Sequence, residues 1–519
     1  MKPPCDDATI QSIAGGVPCA ERNGSWILAA TILGSSMAFI DGTVVNVALP
    51  ALQAELHATV IGVQWVVEAY GLFLGALLLI GGSLGDQFGR RRMFLAGVGI
   101  FAAASLACGF AASLEQLVIA RSVQGVGAAF LVPGSLSIIG ASFSEKKRGQ
   151  SIGTWSGFTA ITMAGGPVLG GWLIEHVSWR WAFFINLPVA VAVIVISLWR
   201  IPESRNPDAR GVDWLGGALA VAGLGGVVYA LIESAGGGWE SLLVLGSLAG
   251  GCSCLLAFLW VEATASSPMV PLALFRSAGF RGANLLTGFL YAALGIFLFL
   301  FPMNLIQVQG FSSTATGAAM LPLILLMFTL SRWSGNLIPR YGAKAPLIVG
   351  TVVAAAGFAL FAVPGTNADY WVTFFPAFLV LGLGMSLSVA PLTTVVMNSV
   401  SGDRAGAASG INNAVSRVAG LLAIAILGVV MVRVFSANLN GKLHGLPLPP
   451  GALQAIQSQE IKLAGMDLPS SLNGDTTAAV RKLISQAFIA GFRAVVFICV
   501  GLSLASAAVA WLLIPSGRE

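Results

Sequence analysis

Long apolar runs separated by short polar breaks recur along the whole chain, and neither a helical nor a strand alternation interrupts them. Each run is long enough to form a membrane-crossing helix, which needs about 20 apolar residues. Fourteen such helices are predicted, at roughly 26–50, 62–84, 93–112, 116–140, 150–174, 182–199, 213–233, 241–261, 282–305, 314–335, 345–364, 370–395, 405–432 and 487–514. The stretch 434–486 between the last two is polar and carries Pro447-Leu448-Pro449-Pro450. It reads as a flexible loop, with an ordered cap as the alternative.

Composition agrees with that pattern. Hydrophobic residues make up 56% of the chain and charged residues 9%, against roughly 25% charged in a soluble domain. With mean hydropathy +0.86, the expectation is an all-α polytopic membrane protein. Residues 1–25 form a polar tail without the short apolar core of a signal peptide, so the first span is expected to direct insertion. The six cysteines are scattered and read as packing residues.

The distribution of cations predicts orientation. Alternate loops hold Arg90, Arg91 and Arg92; Lys146, Lys147 and Arg148; Arg200, Arg205 and Arg210; Arg276 and Arg281; Arg340 and Lys344; and Arg404. The intervening short loops hold little beyond Arg180. Both termini are therefore expected on the cytoplasmic side, with 434–486 outside. No basic, aromatic-studded face points to nucleic acid.

Inside the apolar runs, a few ionisable residues stand out. Asp41 lies within Ile40-Asp41-Gly42-Thr43-Val44-Val45-Asn46, and a carboxylate in hydrocarbon is costly and usually functional. At 1.5 Å rise per residue, Asp41 sits ~13 Å below the outer end of the first span and Glu68 ~9 Å below that of the second. Arg121 in the fourth span falls at a similar depth. The three read as one layer for proton coupling or substrate binding. Burial favours a neutral acid and a nearby arginine favours its anion, so alternate exposure would let Asp41 release a proton on one side and regain it on the other. A fixed buried salt bridge is the competing reading for Asp41. For Glu68 it is helix pairing with Arg121.

An internal repeat accompanies these residues. Gly82 and Gly89, with Asp86 between them and Arg90 and Arg91 after them, follow the second span; Gly335 and Gly342, followed by Lys344, follow the tenth. Such halves mark many secondary transporters. Gly166-Pro167 and Gly170-Gly171 in the fifth span predict close helix packing and a bend. In the C-terminal half, Asn412, Asn413, Arg417 and Gln307 are the polar residues placed to line a cavity or to bond between helices. Trp155, Phe289 and Phe297 are among the aromatics available for an apolar pocket.

These motifs, in order, resemble the fourteen-span drug:proton antiporter family of the major facilitator superfamily, the multidrug exporters. Asp41 to Pro50 resembles its first-helix motif and Gly82 to Arg92 the superfamily's cytoplasmic loop motif. Leu117, Arg121, Gln124, Gly125 and Gly127 resemble the fourth-helix motif, and Gly166 to Gly171 the antiporter motif. Trp179 to Pro188 resembles the entry to helix six. The resemblance implies two six-helix bundles, at 26–200 and 271–519, with a linker at 201–270 holding two extra spans. It further implies proton-driven alternating access, gating by Asp86, and export of amphipathic, including cationic, drugs or metabolites. An importer or facilitator on the same fold is the alternative. The expected partners are small-molecule substrate, protons and the lipid bilayer. The resemblance also points to a monomer in a bacterial inner membrane, with a periplasmic adaptor as an optional partner.

An enzyme is disfavoured. His57, His176 and His444 lie far apart, which gives no metal box, and no phosphate-cradling glycine loop is present. No cofactor is expected.

Overall fold

The structure is a computed structural model describing residues 19–143, 145–206, 211–265, 268–335, 337–400, 405–444, 446, 448–449 and 451–515. Residues 1–18 of the expected tail, Pro447 and Pro450, Arg210, Arg404, and the side chains of Lys146 and Arg148 lie outside the described residues.

The elements run α1 (Cys19–Glu55), α2 (Val60–Phe88), α3 (Arg90–Phe110), α4 (Leu114–Ser142), α5 (Glu145–His176), α6 (Trp181–Phe184), α7 (Asn186–Arg200), α8 (Trp214–Gly237) and α9 (Leu242–Thr264). After a 3-10 turn come α10 (Ala278–Met303), α11 (Ser313–Ala319), α12 (Leu321–Gly335), α13 (Ile338–Tyr341), α14 (Lys344–Phe361), α15 (Phe375–Asn398), α16 (Ala405–Leu443), α17 (Ala452–Gln457) and α18 (Gly474–Leu513). Among the described residues, fourteen helical spans are long and apolar enough to cross a membrane. In lipid, helices satisfy their own backbone groups, and that favours this all-helical solution.

The residues cluster into two compact units. One comprises Met1–Val45, Val66–Leu224 and Ser253–Leu272; the other comprises Asn46–Trp65, Gly225–Cys252 and Ala273–Glu519. This division runs through α1, α2, α8 and α9.

The first unit is held by close backbone contact. A Cβ on Gly97 of α3 would meet Gly127 O at 2.9 Å, and one on Gly127 of α4 would meet Phe101 N at 2.6 Å. Small residues allow helices to approach this closely in lipid. The second unit repeats the device: a Cβ on Gly350 of α14 would meet Gly384 O of α15 at 3.0 Å. Gly97 and Gly350 each stand eight residues after a repeat glycine, Gly89 or Gly342, with φ +112° and +71°. The internal repeat is thus a repeat of structure, a left-handed turn followed by a tightly packed helix.

The second unit has a phenylalanine core. Phe297 meets Phe361 at 4.6 Å between ring centroids, and Phe301 meets Phe378 at 5.0 Å. Phe297 is therefore packing, not pocket wall; Phe289 does line a cavity of about 620 Å³ with Asn284, Val415 and Leu422.

The stretch 434–486 differs from the flexible loop expected of it. Helix α16 continues to Leu443 and α18 begins at Gly474, so the connection is shorter and contains α17 and a 3-10 turn at Glu460–Gly465. Ile456 and Leu463 are fully buried. Asn440 donates to Glu460 Oε1 (2.7 Å) and accepts from Gln457 Nε2 (2.8 Å). The polar residues that suggested disorder instead bond one another.

Candidate functional site

The first unit gathers one buried polar cluster from α1, α2, α3, α4 and α7. Asp41, Ser105, Arg121, Gln124 and Asn186 are each 98% or more removed from solvent. Arg121 Nη1 donates to Asp41 Oδ2 and to Gln124 Oε1 at 2.6 Å. The Gln124 amide nitrogen donates to Asp41 Oδ1 (2.8 Å) and to Ser105 Oγ (2.8 Å). Asn186 Nδ2 reaches the same two oxygens at 3.3 Å each. Both oxygens of Asp41 are thus supplied with donors, one of them cationic, as a buried anion requires.

Arg121 is held from its other sides as well. Its Nε donates to Val66 O at 3.0 Å, and its guanidinium lies 4.3 Å from the centroid of the Tyr70 ring. Cation–π contact is strongest where water is excluded. Tyr70 in turn donates to Ala38 O at 3.2 Å. The arginine therefore keeps several partners whatever the charge on Asp41.

Sequence depth put Asp41, Glu68 and Arg121 in one layer, and the structure joins only two of them. Glu68 is buried, yet it does not pair with Arg121, and neither of its carboxylate oxygens has a hydrogen-bond partner among the described residues. It stands two residues from Tyr70, about 200° round α2, on the side away from Arg121. The helix-pairing reading of Glu68 is not what the structure adopts.

The glycine motif of α5 meets α1, the helix that carries Asp41. A Cβ on Gly166 would overlap Thr43 Oγ1, and one on Gly170 would overlap the Val44 side chain. Gly166, Pro167, Gly170 and Gly171 are all buried, and α5 is seated against α1 within three residues of Asp41. Trp155 Nε1 donates to Ser35 Oγ (3.1 Å) and Thr162 Oγ1 to Ser36 Oγ (3.0 Å), which extends that seam.

The loop motif forms a second polar site. Asp86 pairs with Arg90 at 2.8 Å. The Arg91 and Arg92 backbone N–H groups donate to Glu203 at 3.0 and 3.2 Å, so a carboxylate from beyond α7 caps α3 in trans. Arg91 also reaches Ile201 O at 2.9 Å. Gly89 is needed here, since a Cβ would come within 2.7 Å of Glu203 Oε1. Gly82 lies one turn before Asp86 on α2, with nothing closer than 3.8 Å to an added Cβ.

In the second unit, Asn412 donates to Thr287 Oγ1 (2.7 Å) and Asn284 Oδ1 (3.2 Å). Asn413 is exposed and bonds its own helix at Ser409 O. Gln307 donates to Gln53 Oε1 (2.9 Å), and Gln53 donates to Lys462 O (2.9 Å). Asn412 and Gln307 thus tie elements together, and Arg417 is partly buried on α16.

In the sequence, Gln124 and Asn186 stand out only as members of the fourth-helix and helix-six motifs. Gln124 was within reach, because a residue three after Arg121 shares its helix face. Asn186, Ser105 and Glu203 depend on tertiary placement, for which spacing gives no signal.

Comparison with known proteins follows the same lines. Residues 31–424 match the family model of the Major Facilitator Superfamily. The chain is 35% identical over 426 residues to the multidrug resistance protein Stp of Mycobacterium tuberculosis (strain CDC 1551 / Oshkosh), covering 80% of this chain and 78% of that one. It is 32% identical over 499 residues to the tetracenomycin C resistance and export protein of Streptomyces glaucescens, covering 94% and 91%. A bacterial homologue of the human lysosomal transporter Spinster, solved inward-facing and unoccupied, superimposes with a TM-score of 0.66 at 18% identity, covering 96% of this chain and 98% of that one.

Proposed function

The chain belongs to the major facilitator superfamily, and on that footing we propose that this multi-pass membrane transporter exports amphipathic, including cationic, drugs or metabolites in exchange for protons. The observation that carries the reading is the Asp41 cluster. A carboxylate buried among Arg121, Gln124 and Asn186 can be neutralised by one proton. Its cation would then remain held by Gln124, Val66 O and the Tyr70 ring.

Protonation removes the ion pair between α1 and α4 without unseating the arginine. The coupling between those helices changes while the unit stays intact, as a proton-driven change between two states requires. Glu68, buried without a donor among the described residues, supplies a second acid for a proton or a cationic substrate. The Asp86–Arg90 pair and the Glu203 cap fasten the loop between α2 and α3, and Asp86 acts there as a gate. Relatives named for resistance and export support the outward direction.

In this reading both termini face the cytoplasm of a bacterial inner membrane and the transporter works as a monomer, with a periplasmic adaptor where an outer membrane must also be crossed.

The test is substrate-triggered proton movement in proteoliposomes, wild type against Asp41→Asn, across a panel of cationic and neutral drugs. Proton release from the lumen on substrate addition, lost in the variant, is expected. Unchanged transport in Asp41→Asn makes Asp41 structural, and movement of proton and substrate in the same direction makes the protein an importer.

A further inference from the structure

The inserted pair of spans carries an acid pair that the Asp41 mechanism leaves unused. Asp213 stands just before α8, where its Oδ1 accepts the backbone N–H of Gly216 at 2.7 Å. Glu262 lies in the last turn of α9, where its Oε2 accepts the backbone N–H of Val270 at 2.8 Å. The second oxygen of each carboxyl, Asp213 Oδ2 and Glu262 Oε1, is buried and has no donor among the described residues.

These two oxygens face each other. A Cβ built on Gly216 would lie 2.5 Å from Asp213 Oδ2 and 2.9 Å from Glu262 Oε1. Both oxygens therefore crowd the same small space beside Gly216. Glu262 is 3% exposed and Asp213 is half-buried, so the contact is only partly screened by water. Two carboxylates that share a site at this range are not both ionised, and something positive stands between them.

We propose that Asp213 and Glu262 hold one proton between them, which makes the mouth of the inserted hairpin a second protonation site apart from Asp41. The helix ends decide where that proton rests. Asp213 sits at the N-terminus of α8, whose partial positive charge favours an anion, and Glu262 sits at the C-terminus of α9, whose partial negative charge disfavours one. Glu262 Oε1 therefore carries the hydrogen and donates to Asp213 Oδ2. Uptake from water adds one proton and raises the charge of the pair from −2 to −1, and no other bond changes. The shared hydrogen ties the entry of α8 to the exit of α9, and its loss at high pH sets two like charges against each other.

Glu262→Gln is the informative variant. Its amide oxygen still accepts from Val270 and its amide nitrogen donates to Asp213, so it mimics the protonated pair permanently. Infrared titration of the whole protein in lipid, with carbon-13-labelled glutamate, should show a protonated-glutamic-acid carbonyl band that Glu262→Gln removes. The melting temperature of the wild type should fall as pH rises through the loss of that band, and Glu262→Gln should flatten the fall. Asp213→Asn should shift or remove the same band, which keeps the test open if the glutamine variant fails to fold. A band and a melting profile unaffected by either variant overturn the proposal. So does a band that appears only when sodium and potassium are replaced by choline, because the occupant is then a metal cation.

Discussion

Gly166 lies so close to Thr43 that a methyl group on its Cα would overlap the threonine hydroxyl. The glycine belongs to the fifth-span motif and the threonine stands two residues from Asp41. The motif therefore shapes the wall against which the Asp41 cluster is built. Gly166→Ala is expected to cost about 1–3 kcal/mol through overpacking and to slow proton-coupled exchange. Gly165→Ala, where an added Cβ meets nothing within 4 Å, is the control and should change stability by less than about 0.5 kcal/mol. Thermal unfolding and transport in the two variants decide between a contact-specific effect and a general dislike of alanine in this helix.

The parts of this site that were legible in the sequence are those governed by depth. Counting residues along three spans brings Asp41 and Arg121 to one layer, and they do pair. Depth says nothing about direction round a helix, which is why Glu68 reaches the right layer on the wrong side of α2 to meet Arg121. The spans were legible because hydrocarbon tolerates so few alternatives. The connection after α16 was not, because a run of amides reads equally as solvated loop or as a network, and Asn440, Gln457 and Glu460 form the network. Glu203 was invisible, since a cap supplied from more than a hundred residues away leaves no local pattern.

Arg121 and Asp41 should behave as a unit. Arg121→Met strands a buried carboxylate and is expected to destabilise by about 3–5 kcal/mol. Adding Asp41→Asn removes the stranded charge and should recover most of that loss, with proton coupling abolished in the double variant. Denaturation of the two single variants and the double variant checks this. Additive losses would mean that the two side chains do not share an energy term, and the ion-pair account fails.

Gln124 joins Asp41, Ser105 and Arg121 and accepts from the Cys108 thiol, so its replacement by leucine keeps volume and removes four hydrogen bonds. The loss should be about 1–3 kcal/mol, the cost of leaving buried groups unsatisfied. Transport should fall with it, because Asp41 is then oriented by Asn186 at 3.3 Å and by Arg121 alone. A leucine variant with native melting temperature and native exchange would assign Gln124 to packing only.

At the loop motif, Gly89 combines a φ of +112° with an occupied neighbourhood. Gly89→Ala should cost about 1–3 kcal/mol in backbone strain and displace Glu203 from the end of α3. Glu203→Gln keeps the shape and removes the charge, at a cost of about 0.3–1 kcal/mol. If the loop is a gate, both variants alter the rate of exchange while leaving substrate affinity near native. Equal changes in affinity and rate would place the effect in the binding site instead.

Glu68 supplies the sharpest separation of roles. Its carboxyl group is buried with no donor to either oxygen among the described residues, an arrangement hydrocarbon tolerates far better for a neutral acid than for an anion. Glu68→Gln is nearly isosteric with that neutral acid, so stability should change by less than about 0.5 kcal/mol. Transport should divide by substrate charge. Cationic members of a drug panel lose a counter-charge that forms when the acid ionises beside them, and their uptake into inverted vesicles should drop sharply. Neutral members, which have no use for that charge, should be moved at near-native rates while Asp41 is intact. Equal losses for both classes would make Glu68 part of the proton path, and loss of folding in the glutamine variant would show that the acid has a structural partner.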